Sequence, residues 1–186
     1  MNEAMKVILN RRSIRAFRKN QITDAELKDI LNAAIMAPVG LNPDVWHFTV
    51  IQNREMLDKM VRSIKEAISK SGSKFLIERA SYPEYHTFYN APTVILVSGD
   101  SATPGAQSNC GAAVQNILLA AESLNIGSCW IQSSNLLFNS DMEKELRKEL
   151  GIPDGFNPVC SIAIGYKAIE NPSAPPRNKD VFNFVK

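Results

Sequence analysis

Cysteine and histidine are scarce in this sequence, and the few present follow no metal-binding or disulfide pattern. The three cysteines, Cys110, Cys129 and Cys160, are an odd number without CxxC spacing, and only two histidines occur in 186 residues. Such a set argues against a disulfide scaffold and against a zinc site. It is typical of a protein kept in a reducing compartment, so we expect a cytoplasmic location and no metal.

Long apolar runs and glycine-rich phosphate loops are also missing. No stretch approaches the roughly 20 apolar residues of a membrane-spanning helix, and an acidic residue near the start of the chain is unlike a secretory signal. Neither GxGxxG nor GxxxxGK occurs, so Rossmann-type dinucleotide binding is unsupported. The formal net charge of +2 is too small to favour nucleic acid, so functional positive charge must be local.

The apolar periodicity predicts interleaved helices and strands in one domain over residues 1–186. Helices are expected at 3–10, from Thr23 to before Pro38, at 53–69, at 105–124 and from Ser140 to Gly151. Strands are expected at 46–51, 93–97, 128–132 and 158–166, whereas residues 71–92 show no clean period. The mixture predicts an α+β or α/β sandwich with a sheet covered by helices.

Local signals define several of these boundaries. The residues Thr23–Glu26 and Ser140–Glu143 both have the capping-box pattern, in which a hydroxyl and a carboxylate each bond an orphan backbone N–H. The helix at 105–124 has little polar face after its first turn, which places it in the core or at a subunit interface. The proline-rich tail ends in the apolar residues 181–185, which we expect to pack on another chain.

The basic stretch at residues 11–15 is the strongest candidate for a binding site. It contains Arg11, Arg12 and Arg15 with Ser13 between them. Arginine offers a planar fork of donors that matches phosphate oxygens, and serine adds a short hydroxyl donor. Three arginines cannot be buried together without an anion. The stretch is therefore either solvated, the more frequent outcome on composition alone, or it binds something negative.

Two motifs together resemble the nitroreductase family of FMN enzymes. The first is Arg-Arg-Ser-Ile-Arg-Ala-Phe at residues 11–17, and the second is the proline loop Ala-Pro-Val-Gly-Leu-Asn-Pro-Asp-Val-Trp-His-Phe at residues 37–48. The likeness continues through Gly111–Ala121, Asn125–Ile131 and Ile164–Tyr166 with the later Pro176-Arg177. It covers most of the chain, whereas residues 71–92 carry no recognisable motif and in this family usually shape the substrate entrance.

The resemblance implies an α+β three-layer sandwich, with a mostly antiparallel central sheet flanked by helices and a C-terminal segment swapped between subunits. It also implies a homodimer with FMN at the interface. The residues expected to bind FMN, by matching position, are Arg11, Arg12, Ser13, Arg15, Pro38, Val39, Gly40, Asn42, Ile131, Gln132, Ser133 and Arg177. The loop at 38–42 would come from the partner subunit, and Lys179 is a further candidate for the phosphate.

The function implied is reduction of nitroaromatic, quinone or similar acceptors by NAD(P)H in a ping-pong scheme. Flavin N5 would carry the chemistry, so no side chain is assigned as catalytic, in keeping with the scarcity of histidine. Two alternatives stay open. One is a flavin-binding or sensor protein of the same fold without turnover, and the other is an anion- or nucleic-acid-binding module that uses the basic stretch.

Overall fold

The fold is a four-stranded antiparallel sheet with helices on both faces. The computed structural model describes residues 1–40 and 43–186. The described helices are α1 (Glu3–Asn10), α2 (Asp24–Ile35), α3 (Arg54–Lys70), α4 (Lys74–Ser81), α5 (Ala106–Ser123) and α6 (Glu143–Glu149). The strands are β1 (Trp46–Ile51), β2 (Thr93–Asp100), β3 (Ile126–Ile131) and β4 (Phe156–Tyr166), and a 3-10 helix (Ser133–Asn139) follows β3.

The strand order in the sheet is β1-β2-β4-β3, and every neighbouring pair is antiparallel. β2 and β4 lie in the middle; β2 is almost fully buried and β4 is buried from Cys160 to Gly165, so both contain apolar runs. β3 is an edge strand of this sheet, and its pairing with β4 runs from Ile126 opposite Tyr166 to Ile131 opposite Ser161. The carboxyl end of β3 therefore opens at one edge of the sheet.

Alternation along the strands divides the core into two layers. In β2, Val94 and Leu96 pack in the cluster that contains α3, the 3-10 helix and α6. Ile95 and Val97 point the other way and pack with α2 and α5. The predicted three-layer α+β sandwich is confirmed.

Local signals predicted several elements well. β1 has the expected bounds, and the cap at Asn53 starts α3 because its side chain accepts the N–H of Met56 at 2.9 Å. The first capping box is present, with Thr23 Oγ1 accepting from the N–H of Glu26 at 3.2 Å and the Glu26 carboxylate accepting from the N–H of Thr23 at 2.8 Å. These elements form where sequence and backbone requirements agree.

The capping box predicted at Ser140–Glu143 is wrong. α6 begins at Glu143 without a side-chain cap, and Ser140 Oγ instead donates to the carbonyl oxygen of Leu137 at 2.7 Å. The physical reason is the 3-10 helix, which the sequence reading missed. It runs to Asn139, so the hydroxyl of Ser140 satisfies the carbonyl of Leu137 rather than capping the following helix.

After β4 the described chain forms no further helix or strand, although Lys167 still bridges to Phe17 and Asn171 donates to the carbonyl oxygen of Asn10 at 2.9 Å. Every residue from Pro172 onward is exposed, including the apolar residues near the end of the chain. Throughout the described ranges, no helix combines the length and apolar character required to cross a membrane.

Candidate active site

The basic segment is held in extended form against the edge of the sheet. The N–H of Ile14 donates to the carbonyl oxygen of Ser128 in β3 at 2.9 Å, and Ser13 forms a parallel bridge with Ser128. Ile14 is fully buried, while Arg15 is exposed. Neighbours in an extended chain point in opposite directions, so the buried Ile14 directs Ser13 and Arg15 away from the core.

A glycine permits this close approach. A Cβ on Gly127 of β3 would lie 2.9 Å from Cγ2 of Ile14, which is closer than side chains tolerate. It would also lie 3.2 Å from the carbonyl oxygen of Gly165 on β4. Gly127 thus allows the basic segment to lie directly on the sheet, which fixes the position of Ser13 and Arg15 relative to β3.

A cavity of about 530 Å³ opens beside Arg15 at the carboxyl end of β3. One wall is residues 129–133 with Asn135 and Leu136, and the opposite wall comes from α4 and the loop after it. The residues on that opposite wall are Leu76, Arg79, Tyr85, Thr87 and Tyr89. The structure thus brings together four of the predicted site residues, namely Arg15, Ile131, Gln132 and Ser133.

The cavity carries positive charge and no opposing carboxylate. The guanidinium of Arg15 lies 5.8 Å from the ring centre of Tyr89, and Nη2 of Arg79 donates to the Tyr89 hydroxyl at 2.8 Å. Of the described residues that line the cavity, none is aspartate, glutamate or histidine, but an adjoining cavity of about 320 Å³ shares Arg15, Arg79, Tyr85 and Tyr89 with it and is also lined by Glu84 and His86. The walls of the larger cavity therefore suit an aromatic molecule with negative charge, and they offer no carboxylate or imidazole as a proton donor.

Cys129 lies at the base of the cavity and behaves as a neutral thiol. It is 2% exposed, and burial raises its pKa above the usual value. The charge of Arg15 lowers this pKa, followed by Ser13 and by the charges of Arg11 and Arg79, without overcoming burial. A thiol of this kind is a poor nucleophile. Ser13 lies close to the same end of the cavity, because it pairs with Ser128, the neighbour of Cys129 in β3.

The side chain of Gln132 is already engaged by protein groups. Its Oε1 accepts from Trp130 Nε1 at 3.1 Å, and its Nε2 donates to the carbonyl oxygen of Val159 at 3.1 Å. The two bonds hold the chain rigid where β3 turns into the 3-10 helix. Gln132 therefore presents its backbone to the cavity, because its side-chain amide is already bonded to Trp130 and Val159.

Arg12 points away from this cavity. Its Nη1 donates to the carbonyl oxygens of Leu9 at 2.8 Å and Arg11 at 2.7 Å, and its Nε donates to that of Pro172 at 3.1 Å. The guanidinium thus caps the end of α1 and holds the start of the tail. The structure does not bring Arg12 together with Arg15, and a phosphate contact from Arg12 stays a prediction.

The remaining predicted ligands do not line this cavity. Pro38, Val39 and Gly40 lie in an exposed loop after α2, and Asn42 lies outside the described residues. Arg177 lies in the exposed tail, as does Lys179. The contacts predicted for these residues stay predictions.

Sequence reasoning missed Arg79, because no motif or period in residues 71–92 pointed to it. The aromatic residues Tyr82, Tyr85, Phe88 and Tyr89 of that region are consistent from sequence alone with either substrate contacts or a packing cluster. Tyr85 and Tyr89 line the cavity, whereas Phe88 is fully buried in the core. The one available signal was a basic residue in the last turn of a short amphipathic helix beside several tyrosines.

His86 holds the loop that carries Tyr89. Its Nδ1 accepts hydrogen bonds from the N–H groups of Phe88 and Asn90, both at 3.2 Å. Tyr89 and Asn90 have φ of 54° and 55°, a left-handed conformation that is costly for residues other than glycine. Burial, followed by the charge of Arg54, lowers the pKa of His86, which keeps Nδ1 free to accept. This imidazole is therefore structural.

Comparison with known proteins agrees with the motifs. The model of the nitroreductase family matches residues 8–166. A protein of Archaeoglobus fulgidus, provisionally named NADH dehydrogenase/NAD(P)H nitroreductase, is 36% identical over 166 residues, which cover 89% of this chain and 86% of that protein.

Two solved structures have the same fold over the whole of both chains. The nitroreductase with bound FMN from Bacteroides fragilis superimposes with a TM-score of 0.92 and 33% identity, covering 100% of each chain. The nitroreductase with bound FMN from Desulfitobacterium hafniense superimposes with a TM-score of 0.91 and 32% identity, again covering 100% of each chain. With the family model matching most of the sequence and the fold agreeing throughout, this chain belongs to the nitroreductase family.

Proposed function

We propose that this protein uses NAD(P)H to reduce nitroaromatic or quinone acceptors by a ping-pong mechanism at the cavity beside Arg15. It is an FMN-dependent NAD(P)H oxidoreductase, as its family and its FMN-bound structural neighbours support. The acceptor class and the kinetic scheme go beyond that support. The observation that carries them is one cavity with arginine on its walls and no carboxylate.

The residues present fit FMN. Arg15 and Arg79 are charged groups that line the cavity, and burial keeps the thiol of Cys129 neutral beside them. No acidic side chain among the described lining residues would repel a phosphate or the polar edge of the ring. We propose that Arg11, Ser13 and Arg15 hold the phosphate and polar edge, and that residues 131–133 lie against the ring.

When bound, FMN supplies the hydride and electron chemistry, while the protein supplies orientation and electrostatics. Arg15 balances negative charge at the mouth of the cavity, and its position is fixed by the buried Ile14 beside it. Leu76, Ile131 and Leu136 supply apolar walls that reduce access of water. Because the lining includes no carboxylate or imidazole, we propose that the acceptor takes its proton from water.

We propose that the same cavity serves the nicotinamide and the acceptor in turn, because the described residues form this opening beside residues 131–133. This arrangement favours ping-pong kinetics. Initial rates measured with NADH or NADPH at several fixed concentrations of a nitroaromatic or quinone should give parallel double-reciprocal lines. Intersecting lines would contradict the shared cavity. Bound flavin without turnover for any acceptor would favour the flavin-binding alternative.

We propose further that the protein is a homodimer that completes the FMN site from both chains. One support is α1, which carries Met5, Ile8 and Leu9 as exposed apolar residues. The other is the tail, where Phe182 and Phe184 are 75% and 81% exposed. Apolar surface of this kind marks an interface. Pro38, Val39, Gly40 and Asn42 of the partner would then approach the ring, with Arg177 at the phosphate.

Analytical ultracentrifugation tests the dimer directly. The purified protein should sediment at twice the mass of one chain, and the bound FMN should sediment with it. A monomer that retains FMN would contradict the completion of the site by the partner.

A further inference from the structure

Arg79 is a cation that faces the cavity without a carboxylate partner. It lies in the last turn of α4, and its single hydrogen bond among the described residues is the one from Nη2 to the hydroxyl of Tyr89 at 2.8 Å. No carboxylate of the described chain lies within 4 Å of it, although Glu84 lines an adjoining cavity of about 320 Å³. Most of the guanidinium donors thus remain available.

A purely structural role accounts for only part of this arrangement. A basic residue in the last turn stabilises a helix through its dipole, and one bond to Tyr89 secures the loop. Neither role needs a planar fork of five donors at the mouth of an aromatic-lined cavity. Lys74, at the exposed start of the same helix, does not line the cavity. A cation of α4 therefore does not face the cavity merely because it belongs to this helix.

The surroundings keep Arg79 in position. Tyr89 contacts both arginines, because its ring lies under Arg15 and its hydroxyl accepts from Arg79. The left-handed backbone of Tyr89 is held by the two hydrogen bonds to His86. The guanidinium is thus placed on the wall opposite residues 129–133, with Tyr85 beside it.

We propose that Arg79 selects electron acceptors that carry a carboxylate on an aromatic ring. This inference rests on the proposed function, in which Arg15 serves the cofactor and leaves Arg79 for the acceptor. Arginine binds a planar carboxylate through two parallel hydrogen bonds. Tyr85, Trp130 and Leu136 supply the flat, partly apolar walls that an aromatic ring needs.

The test compares two acceptors of nearly the same shape, 4-nitrobenzoate and 4-nitrobenzamide, which differ in charge. We expect wild-type protein to show a higher kcat/KM for the anion. In Arg79→Gln, kcat/KM for 4-nitrobenzoate should fall about tenfold or more, as expected for loss of a charge-assisted hydrogen bond, while the amide changes little. Arg79→Lys should keep part of the preference. The matched control, Arg62→Gln, removes an exposed arginine of α3 outside the cavity. It should change kcat/KM for neither 4-nitrobenzoate nor 4-nitrobenzamide.

Binding without turnover gives a second measurement. Benzoate should perturb the flavin absorption of wild-type protein and bind at least about tenfold more weakly to Arg79→Gln.

The proposal would be overturned if the ratio of kcat/KM for 4-nitrobenzoate to that for 4-nitrobenzamide were equal in wild type and Arg79→Gln. Loss of FMN from Arg79→Gln would overturn it as well, because it would assign the residue to the cofactor. A rise in the KM of NADPH without a change in acceptor ratio would assign it to the nicotinamide donor. If wild-type protein reduces neither acceptor nor any quinone, the proposed function itself fails.

Discussion

Replacing Gly127 with alanine should destabilise the protein and weaken its hold on FMN through a single steric contact. The new Cβ would lie 2.9 Å from Cγ2 and 3.1 Å from Cβ of Ile14. Ile14 cannot turn aside easily, because it is fully buried and branched at Cβ. The basic segment must therefore shift away from β3 and carry Ser13 and Arg15 with it.

The expected cost follows from overpacking a buried site. Such changes cost about 1–3 kcal/mol. In a protein of this size, each kcal/mol lowers the melting temperature by about 2–4 °C. The 2.9 Å approach is to a stiff, buried side chain rather than to a flexible one, so we expect a value in the upper half of that range.

Thermal unfolding and FMN content of the purified variant are the two measurements. Gly111→Ala is the matched control, because its Cβ would meet nothing closer than Trp130 at 3.8 Å. Gly111 lies within α5, where alanine favours the helix by about 1 kcal/mol, so this variant should melt at or above the wild-type temperature. The same chemical change should thus have opposite signs at the two positions.

A double-mutant cycle isolates the contact. Ile14→Ala alone should cost about 2–5 kcal/mol by leaving a cavity. In that background Gly127→Ala should cost less than it does alone, because the 2.9 Å contact with Cγ2 of Ile14 is gone, while the 3.1 Å contact with Cβ remains. If the two substitutions changed the free energy of unfolding additively, the contact between Gly127 and Ile14 would be contradicted. Unchanged stability and FMN content in Gly127→Ala alone would contradict it as well.

Three further predictions follow from the charges and exposed surfaces. Arg15→Ala should lower FMN content in the purified protein more than Arg12→Ala does, and equal losses would contradict the different directions of the two side chains. Burial lowers the folded-state pKa of His86, so its contribution to stability is complete above pH 6.5 and is lost as the pH falls below it; the pH dependence of melting there should be flatter in His86→Gln. Replacing Phe182 and Phe184 together by serine should yield monomers by ultracentrifugation with lowered FMN content, because the partner completes the proposed site; dimers that keep FMN would contradict the interface.

Much of the fold could be read from the sequence because its signals are local. The capping box at Thr23 and the β-branched run of β2 each specify an element through nearby residues. The 3-10 helix after β3 was missed because no periodic pattern distinguishes so short a segment. Ser140 was then given a capping role that its contact with Leu137 excludes.

The site was predictable in part for the same reason. The motif around Arg15 identified one side of the cavity, but composition could not separate Arg15 from Arg12. Their directions depend on the pairing of Ile14 with β3, a contact between distant parts of the chain. Arg79 reaches the cavity because α4 packs against α3, and no sequence signal records that packing.

The central claim is that one cavity beside Arg15 serves the nicotinamide and the acceptor in succession. Anaerobic addition of NADPH to the purified protein should bleach its flavin absorption. After removal of all nicotinamide by gel filtration, addition of a nitroaromatic or quinone alone should restore the absorption at a rate no slower than steady-state turnover. Absorption that returns only while nicotinamide is still present, or protein that carries no FMN, would contradict the account.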